Sequence, residues 1–254
     1  MARYELLDNV SHAGLRVPLG FGPAYGDDLG LVPAFPTEFA ELQREYPIFL
    51  RRTPGEDGYE AVALLGFARG ENLFVRDGRW NAGYLPGFVA RGPFLIGFQE
   101  HRRDGVPVRE PVVHVDLDHP RASFDEGEPV FLPHGGRSPY LERVIDVLRG
   151  IHDGAEAGRE MYAALDRAGL VQPMRIEVQL DAEHAANLDG LYGIDRGRLA
   201  ALDTDALHAL HRAGWLEGVY LMLSSLHNVR RLMAEKQRRL RAQDAGDAPE
   251  PGRG

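Results

Sequence analysis

The chain has 254 residues, which suffice for one large domain or two small ones around a buried core. Hydrophobic residues make up 44% and charged residues 26%, a composition typical of globular proteins. The formal net charge of −9 argues against a nucleic-acid-binding protein, because phosphate contacts require a basic surface. The absence of cysteine excludes disulfides, thiolate zinc sites and cysteine nucleophiles.

Hydropathy predicts neither a secretory signal nor a membrane-spanning helix. Residues 1–18 contain no apolar run behind a basic start, which a signal peptide requires. The longest apolar candidate, Trp215 to Leu226, is shorter than the roughly 18 residues that a membrane helix needs. We therefore expect a cytoplasmic protein that does not insert into a membrane.

Residues 1–135 have the pattern of a strand-rich region. Strands are predicted at Arg16–Pro18 and at Tyr59–Phe67, where a nearly continuous apolar run suits a buried position. Asp77-Gly78 and Asp104-Gly105 each lie between strand-like segments, and Asp-Gly tolerates the positive φ angles of tight hairpin turns. One short helix is predicted over Glu38–Glu45, capped by Thr37 and ended by Pro47.

From Ser138 the hydrophobic period becomes helical. Ser138-Pro139 is a strong helix start and opens a predicted helix with apolar residues up to Ile151, and a second helix follows over Glu156–Ala168 and ends at Gly169. Alternation predicts a strand over Met174–Leu180, with Leu188–Ile194 as its partner.

The last and longest predicted helix carries an apolar stripe that becomes polar toward its end, over Leu216–Leu240. The stripe fits a core-packing helix that extends into solvent, and it also fits a coiled coil that makes a homo-oligomeric scaffold. Residues 244–254 have the composition of a disordered tail.

Together these elements predict an α+β fold. An antiparallel sheet or partial barrel from residues 1–135 packs against helices from residues 136–243. No linker rich in Pro, Gly or Ser separates the two lobes, so we expect one cooperative domain.

The segment Leu64–Phe94 is dense in glycine and aromatic residues and supplies the candidate binding surface. The residues that mix polar and aromatic groups there are Glu71, Asn72, Trp80, Tyr84 and Arg91. Polar residues at a strand entry also cap backbone groups, and aromatic residues in a strand-rich region also belong to cores. The segment lacks the spacing of a phosphate-binding loop, and we predict no cofactor.

A metal site is the alternative chemistry. On a strand, His114 and Asp116 would share one face, and with His119 or His134 they form a set that a non-haem iron centre could use. The same pattern fits the solvent face of a strand followed by a turn.

Four blocks of residues carry a family resemblance over residues 10–233. The blocks are Val32-Pro33 with Glu38-Phe39 and Tyr46-Pro47-Ile48-Phe49; Leu65-Gly66 with Gly70-Glu71-Asn72-Leu73-Phe74-Val75, Trp80, Tyr84-Leu85-Pro86 and Pro93-Phe94; Asp116 with Gly127-Glu128-Pro129-Val130-Phe131; and Leu191-Tyr192-Gly193-Ile194-Asp195 with Gly214-Trp215-Leu216, Tyr220, Ser225-Leu226, Asn228 and Leu232. In this order they resemble the SapC family of bacterial proteins, which shares only its name with a peptide-transport permease. One departure is Ala90-Arg91, where the family tends to have two arginines.

The resemblance implies an accessory role beside surface-array (S-layer) or nutrient-uptake systems, and it brings no catalytic residues. It therefore favours a non-catalytic cytoplasmic binding protein with a protein or peptide client. A metal-dependent enzyme and a homo-oligomeric scaffold are the alternatives.

Overall fold

The computed structural model describes residues 3–55, 57–103, 106–180 and 184–246. The strands are β1 (Tyr4–Leu6), β2 (Arg16–Val17), β3 (Leu31–Ala34), β4 (Ile48–Arg52), β5 (Tyr59–Leu64), β6 (Val75–Arg76), β7 (Arg79–Trp80), β8 (Phe94–Arg103), β9 (Val106–Asp116), β10 (Glu128–Pro129), β11 (Val171–Gln179) and β12 (Ala185–Ile194). The helices are α1 (Phe39–Leu42), α2 (Gly87–Ala90), α3 (Pro139–Arg167), α4 (Arg196–Ala200), α5 (Thr204–Arg212), α6 (Trp215–Ser225) and α7 (Asn228–Gly246). Pairing within the sheets is antiparallel, which confirms the predicted α+β class.

A five-stranded sheet with the order β11-β12-β4-β5-β3 forms the larger core. The predicted strand at Tyr59 is confirmed as β5, and its nearly continuous burial explains why the sequence there does not alternate. The predicted pair near residues 174–194 is confirmed as β11 and β12. Strands from both halves of the chain join this sheet. The boundary between the two predicted lobes, at residues 135/136, stays a prediction.

Both predicted hairpins form. At the first, β6 pairs with β7, and Asp77 and Gly78 have φ angles of 51° and 72°, as a turn with two positive φ values demands. At the second, β8 and β9 pair from Phe94 to Arg103, in a hairpin longer than the sequence predicts. Its turn residues, 104 and 105, lie outside the described residues.

A three-stranded sheet with the order β1-β9-β8 packs on the first half of α3 and forms a second core. Leu141, Val144 and Leu148 of α3 lie in this core, whereas Met161 and Leu165 lie in the larger one. With 29 residues, α3 is about 43 Å long, long enough to contact both cores.

The prediction of two helices between 138 and 168 is wrong, because α3 is continuous. Ser138 caps it as predicted, with Oγ accepting a hydrogen bond from Leu141 N, and Gly169 at φ 66° follows its end. Gly154 lies inside this helix and packs against Phe35 and Thr37. A Cβ at this position would collide with both, so the close packing requires glycine there. Tertiary packing here overrides the weak helix propensity of glycine.

The predicted helix over Glu38–Glu45 is also wrong in its start and length. A turn of 3-10 helix at Pro36–Glu38 leads into the four-residue α1. Thr37 does not cap it, since its hydroxyl instead donates to the carbonyl oxygen of Gly150 at 2.9 Å. The threonine thus joins this turn to α3.

The C-terminal region is helical as predicted, with a turn at residues 226–227 between α6 and α7. The apolar stripe is used within this chain, because Val219, Leu223 and Leu240 are buried in the larger core. As far as Leu240, α7 packs on the body of the protein, and Gln237 donates to Leu180 O at 2.6 Å. Of the predicted disordered tail, residues 244–246 belong to α7, and residues 247–254 lie outside the described residues.

Across the described ranges, no helix combines the length and apolar character needed to span a membrane.

Candidate functional site

Glu71 and Asn72, the first two predicted site residues, bond within the fold, Glu71 to α7 and Asn72 to Asp27 and Phe74. Glu71 accepts a hydrogen bond from Phe67 N at 2.8 Å and forms an ion pair with Lys236 Nζ at 2.6 Å. Buried Asn72 donates to Asp27 O and accepts from Phe74 N, at 2.8 and 2.9 Å. Both side chains therefore act as internal connectors in this structure.

Trp80 and Tyr84 meet in a hydrogen-bonded network. Trp80 Nε1 donates to Tyr46 Oη at 2.8 Å, and Tyr46 Oη donates to Tyr84 O at 2.5 Å. Tyr84 Oη donates to Glu38 at 2.8 Å, and Glu38 also accepts from the backbone N–H groups of Phe35 and Gly87. Burial raises the pKa of the Glu38 carboxyl and of the Tyr84 hydroxyl.

Arg91 lies apart from these four residues. Its guanidinium donates to Phe94 O at 2.8 Å and lies 4.6 Å from the centre of the Phe88 ring. Burial lowers the pKa of Arg91. The structure thus links Trp80 to Tyr84 through Tyr46, and the role of all five residues in holding a client stays a prediction.

The four candidate metal ligands are not brought together. His114 packs over Gly97, and the carboxylate of Asp116 accepts from Asp118 N at 3.0 Å. His119 Nδ1 accepts from Arg121 N at 3.0 Å, whereas His134 is exposed in a turn. Burial, with the charge of Arg121 next in importance, lowers the pKa of His119. Within the described ranges, no three His, Asp or Glu side chains cluster in a way that could hold a metal ion.

A large apolar cleft lies between the three-stranded sheet and the first half of α3. Its volume is about 700 Å³, within the range typical of ligand sites in proteins. The sheet contributes side chains from β1, β8 and β9, and α3 contributes one face of its first four turns. The apolar lining comprises Leu6, Leu7, Ile96, Phe98, Pro111, Val112, Val113, Phe131, Leu141, Ile145 and Leu148.

The charged side chains of the cleft stand on α3 or just before it. Arg137 and Arg149 already have acidic partners, Glu142 at 3.7 Å and Asp146 at 2.8 Å. His152 packs on Phe98, with 5.0 Å between ring centres, and Asp153 completes the polar part of the lining. Since both arginines are paired, the lining offers no strong net charge to a ligand.

The open edge of β9 next to the cleft is protected against strand addition. Asp116 N bonds to Pro93 O, so Asp116 faces β8, and alternate residues face the other edge. Pro107 and Pro111 fall at these outward positions and lack an N–H group that could pair with a further strand. A ligand of this region is therefore expected to enter the cleft instead of extending the sheet.

The sequence shows the two walls of the cleft but not the space between them. Phe94, Ile96 and Phe98 alternate on β8, and Leu141, Ile145 and Leu148 follow a helical period, as core residues do. Whether such faces close on each other or leave a cleft depends on how α3 crosses the sheet, which periodicity does not encode.

The family model for SapC matches residues 7–232. The chain belongs to the SapC family. Neither the curated proteins nor the solved structures provide a match to it. All the lining residues of the cleft except Leu6 fall within the matched range, so the cleft is formed by the SapC part of the chain.

Proposed function

We propose that this SapC-family protein is a non-catalytic accessory protein of the bacterial cytoplasm. It binds an apolar segment of a client polypeptide in the cleft between α3 and the β1-β9-β8 sheet. The observation that carries the proposal is the cleft itself, a cavity of about 700 Å³ with mainly apolar walls. The client belongs to a surface-protein or nutrient-uptake system, in keeping with the role that the family resemblance implies.

The charges of the cleft favour a polypeptide over an anionic lipid. An anionic headgroup would meet negative as well as positive charge there, because Glu142 lies beside Arg137 and Asp146 beside Arg149. A peptide segment brings apolar side chains for the walls and a neutral backbone that tolerates a lining of mixed charge. The proposed occupant is therefore a neutral, apolar stretch of chain.

Two matched substitutions test the cleft. Leu6 lines it and is 44% exposed, while Leu207 on α5 lies outside it and is 42% exposed. Leu6→Glu places a charge against the client, whereas Leu207→Glu adds the same charge at a comparable exposure elsewhere. We expect Leu6→Glu to weaken client binding about tenfold or more, and Leu207→Glu to leave it unchanged.

The measurement is affinity purification of the tagged full chain from its own cells, with quantitative mass spectrometry of the retained proteins and metals. Clients that wild type and Leu207→Glu retain but Leu6→Glu loses would then be remade as synthetic peptides, and their dissociation constants measured by calorimetry. Equal retention by both variants would place the client elsewhere, the Glu71–Arg91 surface being the first alternative. Retention of a stoichiometric metal without clients would contradict an accessory function.

A further inference from the structure

A second, smaller cavity lies on a different face of α3 from the apolar cleft. It is lined by the first turns of α3, by α2 with its flanking residues and by the segment that follows β2, and its volume is about 260 Å³. Apolar side chains form most of its wall, among them Val17, Leu19, Phe21, Val89, Val144 and Val147. This volume is slightly below the range of drug-sized ligands, so the cavity suits a small molecule with an apolar body.

The charged side chains of this cavity leave one positive charge without a counter-charge. The two cationic residues of the lining are Arg121 and Arg143, and no acidic side chain of the described chain lines the cavity. Arg121 is neutralised by its buried ion pair with Asp27, at 2.7 Å. Arg143 is exposed at the mouth and has no acidic partner in the part of the chain that the structure describes. The cavity therefore favours an anion over a neutral or cationic ligand.

The hydroxyl of Tyr140 is a free donor at the same cavity, since no described residue forms a hydrogen bond with it. In the described ranges, the side-chain atoms that are both completely buried and without a partner are His12 Nε2 and Tyr162 Oη. Tyr140 Oη is not one of them and so retains an accessible surface. A Cβ at Gly92, another lining residue, would lie 3.4 Å from this hydroxyl. The hydroxyl thus lies at the wall of the cavity.

Tyr140 and Arg143 lie close enough together to act on one ligand. They are three residues apart on α3, which places them on the same side of the helix, and the guanidinium carbon of Arg143 lies 6.0 Å from the centre of the Tyr140 ring. Burial raises the pKa of Tyr140 to about 12, although the charges of Arg121 and Arg143 lower it in part. The phenol is therefore protonated at neutral pH and can donate a hydrogen bond.

We propose that this cavity binds a short aliphatic monocarboxylate. One carboxylate oxygen accepts from Tyr140 Oη, the other pairs with the guanidinium of Arg143, and the alkyl chain lies against the apolar wall. A carboxylate offers an acceptor to each of the two donors, and its one negative charge matches that of the guanidinium. Inorganic phosphate would bring more charge and no apolar group for the wall. This site goes beyond the proposed client-binding function, since it lies on a different face of α3 and takes a different class of ligand.

The test titrates hexanoate into the isotope-labelled full chain at constant pH and ionic strength. The backbone amide signals of Ala90 and Gly92, which line the cavity, are followed by NMR. Hexanamide keeps the shape of the probe without its charge, and acetate keeps the charge without the long alkyl chain. We expect saturable shifts with hexanoate and at least about tenfold weaker binding of both other molecules. Absence of saturable shifts at these residues, or equal binding of hexanamide or acetate, would overturn the proposal.

Two variants tie the binding to the cavity. Arg143→Met removes the charge and Tyr140→Phe removes the donor, and each is expected to weaken hexanoate binding about tenfold. Tyr140→Phe should unfold at the same urea midpoint as wild type, because the lost hydroxyl had no partner. Arg159→Met is the matched control, since it removes an exposed arginine of the same helix outside this cavity. Wild-type affinity in Arg143→Met or Tyr140→Phe, or an equal loss in Arg159→Met, would contradict the proposed site.

Discussion

Arg121 and Asp27 form a bidentate ion pair in which both side chains are almost completely buried. The two guanidinium hydrogen bonds are 2.9 and 2.7 Å long, between residues 94 positions apart in the chain. Arg121 also donates to the carbonyl oxygens of Pro18 and Gly20, at 2.9 and 2.8 Å. One arginine thus fixes the loop that leads from β2 to β3.

Loss of this arginine is expected to destabilise the fold strongly. Arg121→Met leaves the Asp27 carboxylate buried without its partner, which costs about 3–5 kcal/mol in the free energy of unfolding. Urea denaturation followed by circular dichroism measures the change.

The exposed pair of Arg44 and Glu41 is the matched control, because its N–O distance of 2.9 Å is similar. Arg44→Met is expected to cost less than about 1 kcal/mol, since water already screens this pair. Adding Asp27→Leu to Arg121→Met should recover part of the lost stability. Equal losses for Arg121→Met and Arg44→Met would show that burial of the Asp27 pair contributes nothing.

Local chemistry explains which elements the sequence predicts well. The turn at Asp77-Gly78, the cap at Ser138 and the strand β5 follow from residues that are neighbours in sequence. The ion pair of Arg121 with Asp27 and the role of Thr37 depend on partners about a hundred residues away, which one sequence cannot pair. The candidate binding residues were visible by type, but their internal partners, such as Tyr46 for Trp80, were not.

The glycines of α3 give a second prediction, because two of them have opposite surroundings. A Cβ at Gly154 would lie 2.5 Å from Thr37 Oγ1 and 2.7 Å from Phe35 Cβ, whereas a Cβ at Gly150 would meet nothing within 4 Å. Gly154→Ala is expected to cost about 1–3 kcal/mol through overpacking. Gly150→Ala should stabilise the helix by up to about 1 kcal/mol, because alanine has the higher propensity.

Thermal unfolding of the two alanine variants measures this difference. The same substitution in the same helix cancels the propensity term, so the gap between the melting temperatures reports the contact with Phe35 and Thr37. If Gly154→Ala melts at or above the temperature of Gly150→Ala, α3 does not approach this turn as closely as the structure has it.

A third prediction concerns pH and the buried carboxyl of Glu38. Burial raises the pKa of Glu38 in the folded state above its value in the unfolded chain, which is about 4.3. The folded protein therefore binds the proton more tightly, and this contribution to stability is complete below the unfolded pKa. It is lost as pH rises through the folded pKa, so ionisation of Glu38 lowers the free energy of unfolding toward neutral pH.

Glu38→Gln removes this titration, and its stability is expected to fall less than that of wild type between about pH 4 and 8. Its absolute stability is lower at acidic pH, because one amide oxygen cannot replace the acceptors for Phe35 N, Gly87 N and Tyr84 Oη together. Urea midpoints measured across this pH range test whether Glu38 causes this pH dependence of stability, with Glu41→Gln at an exposed glutamate as control. Parallel curves for wild type and Glu38→Gln would contradict a raised pKa.

The hydroxyl of Tyr46 carries the fourth prediction, since it links Trp80 Nε1 to Tyr84 O. Tyr46→Phe leaves a partly buried donor and acceptor without partners and is expected to cost about 1–3 kcal/mol in the free energy of unfolding. Chemical denaturation measures the loss, and Tyr220→Phe, at an exposed tyrosine, is expected to change little.

A double-mutant cycle separates this bond from general packing. If the indole N–H bond to Tyr46 Oη matters, Trp80→Phe costs less in the Tyr46→Phe background than in wild type, by about 1 kcal/mol. Additive losses would mean that the two rings stabilise the fold independently. The cycle also bears on the predicted client surface. The Trp80 side chain bonds to Tyr46 and the Tyr84 side chain bonds to Glu38, so alanine at either position would weaken the fold together with any binding. Tyr84→Phe removes only the bond to Glu38, which makes it the sharper probe of a client contact.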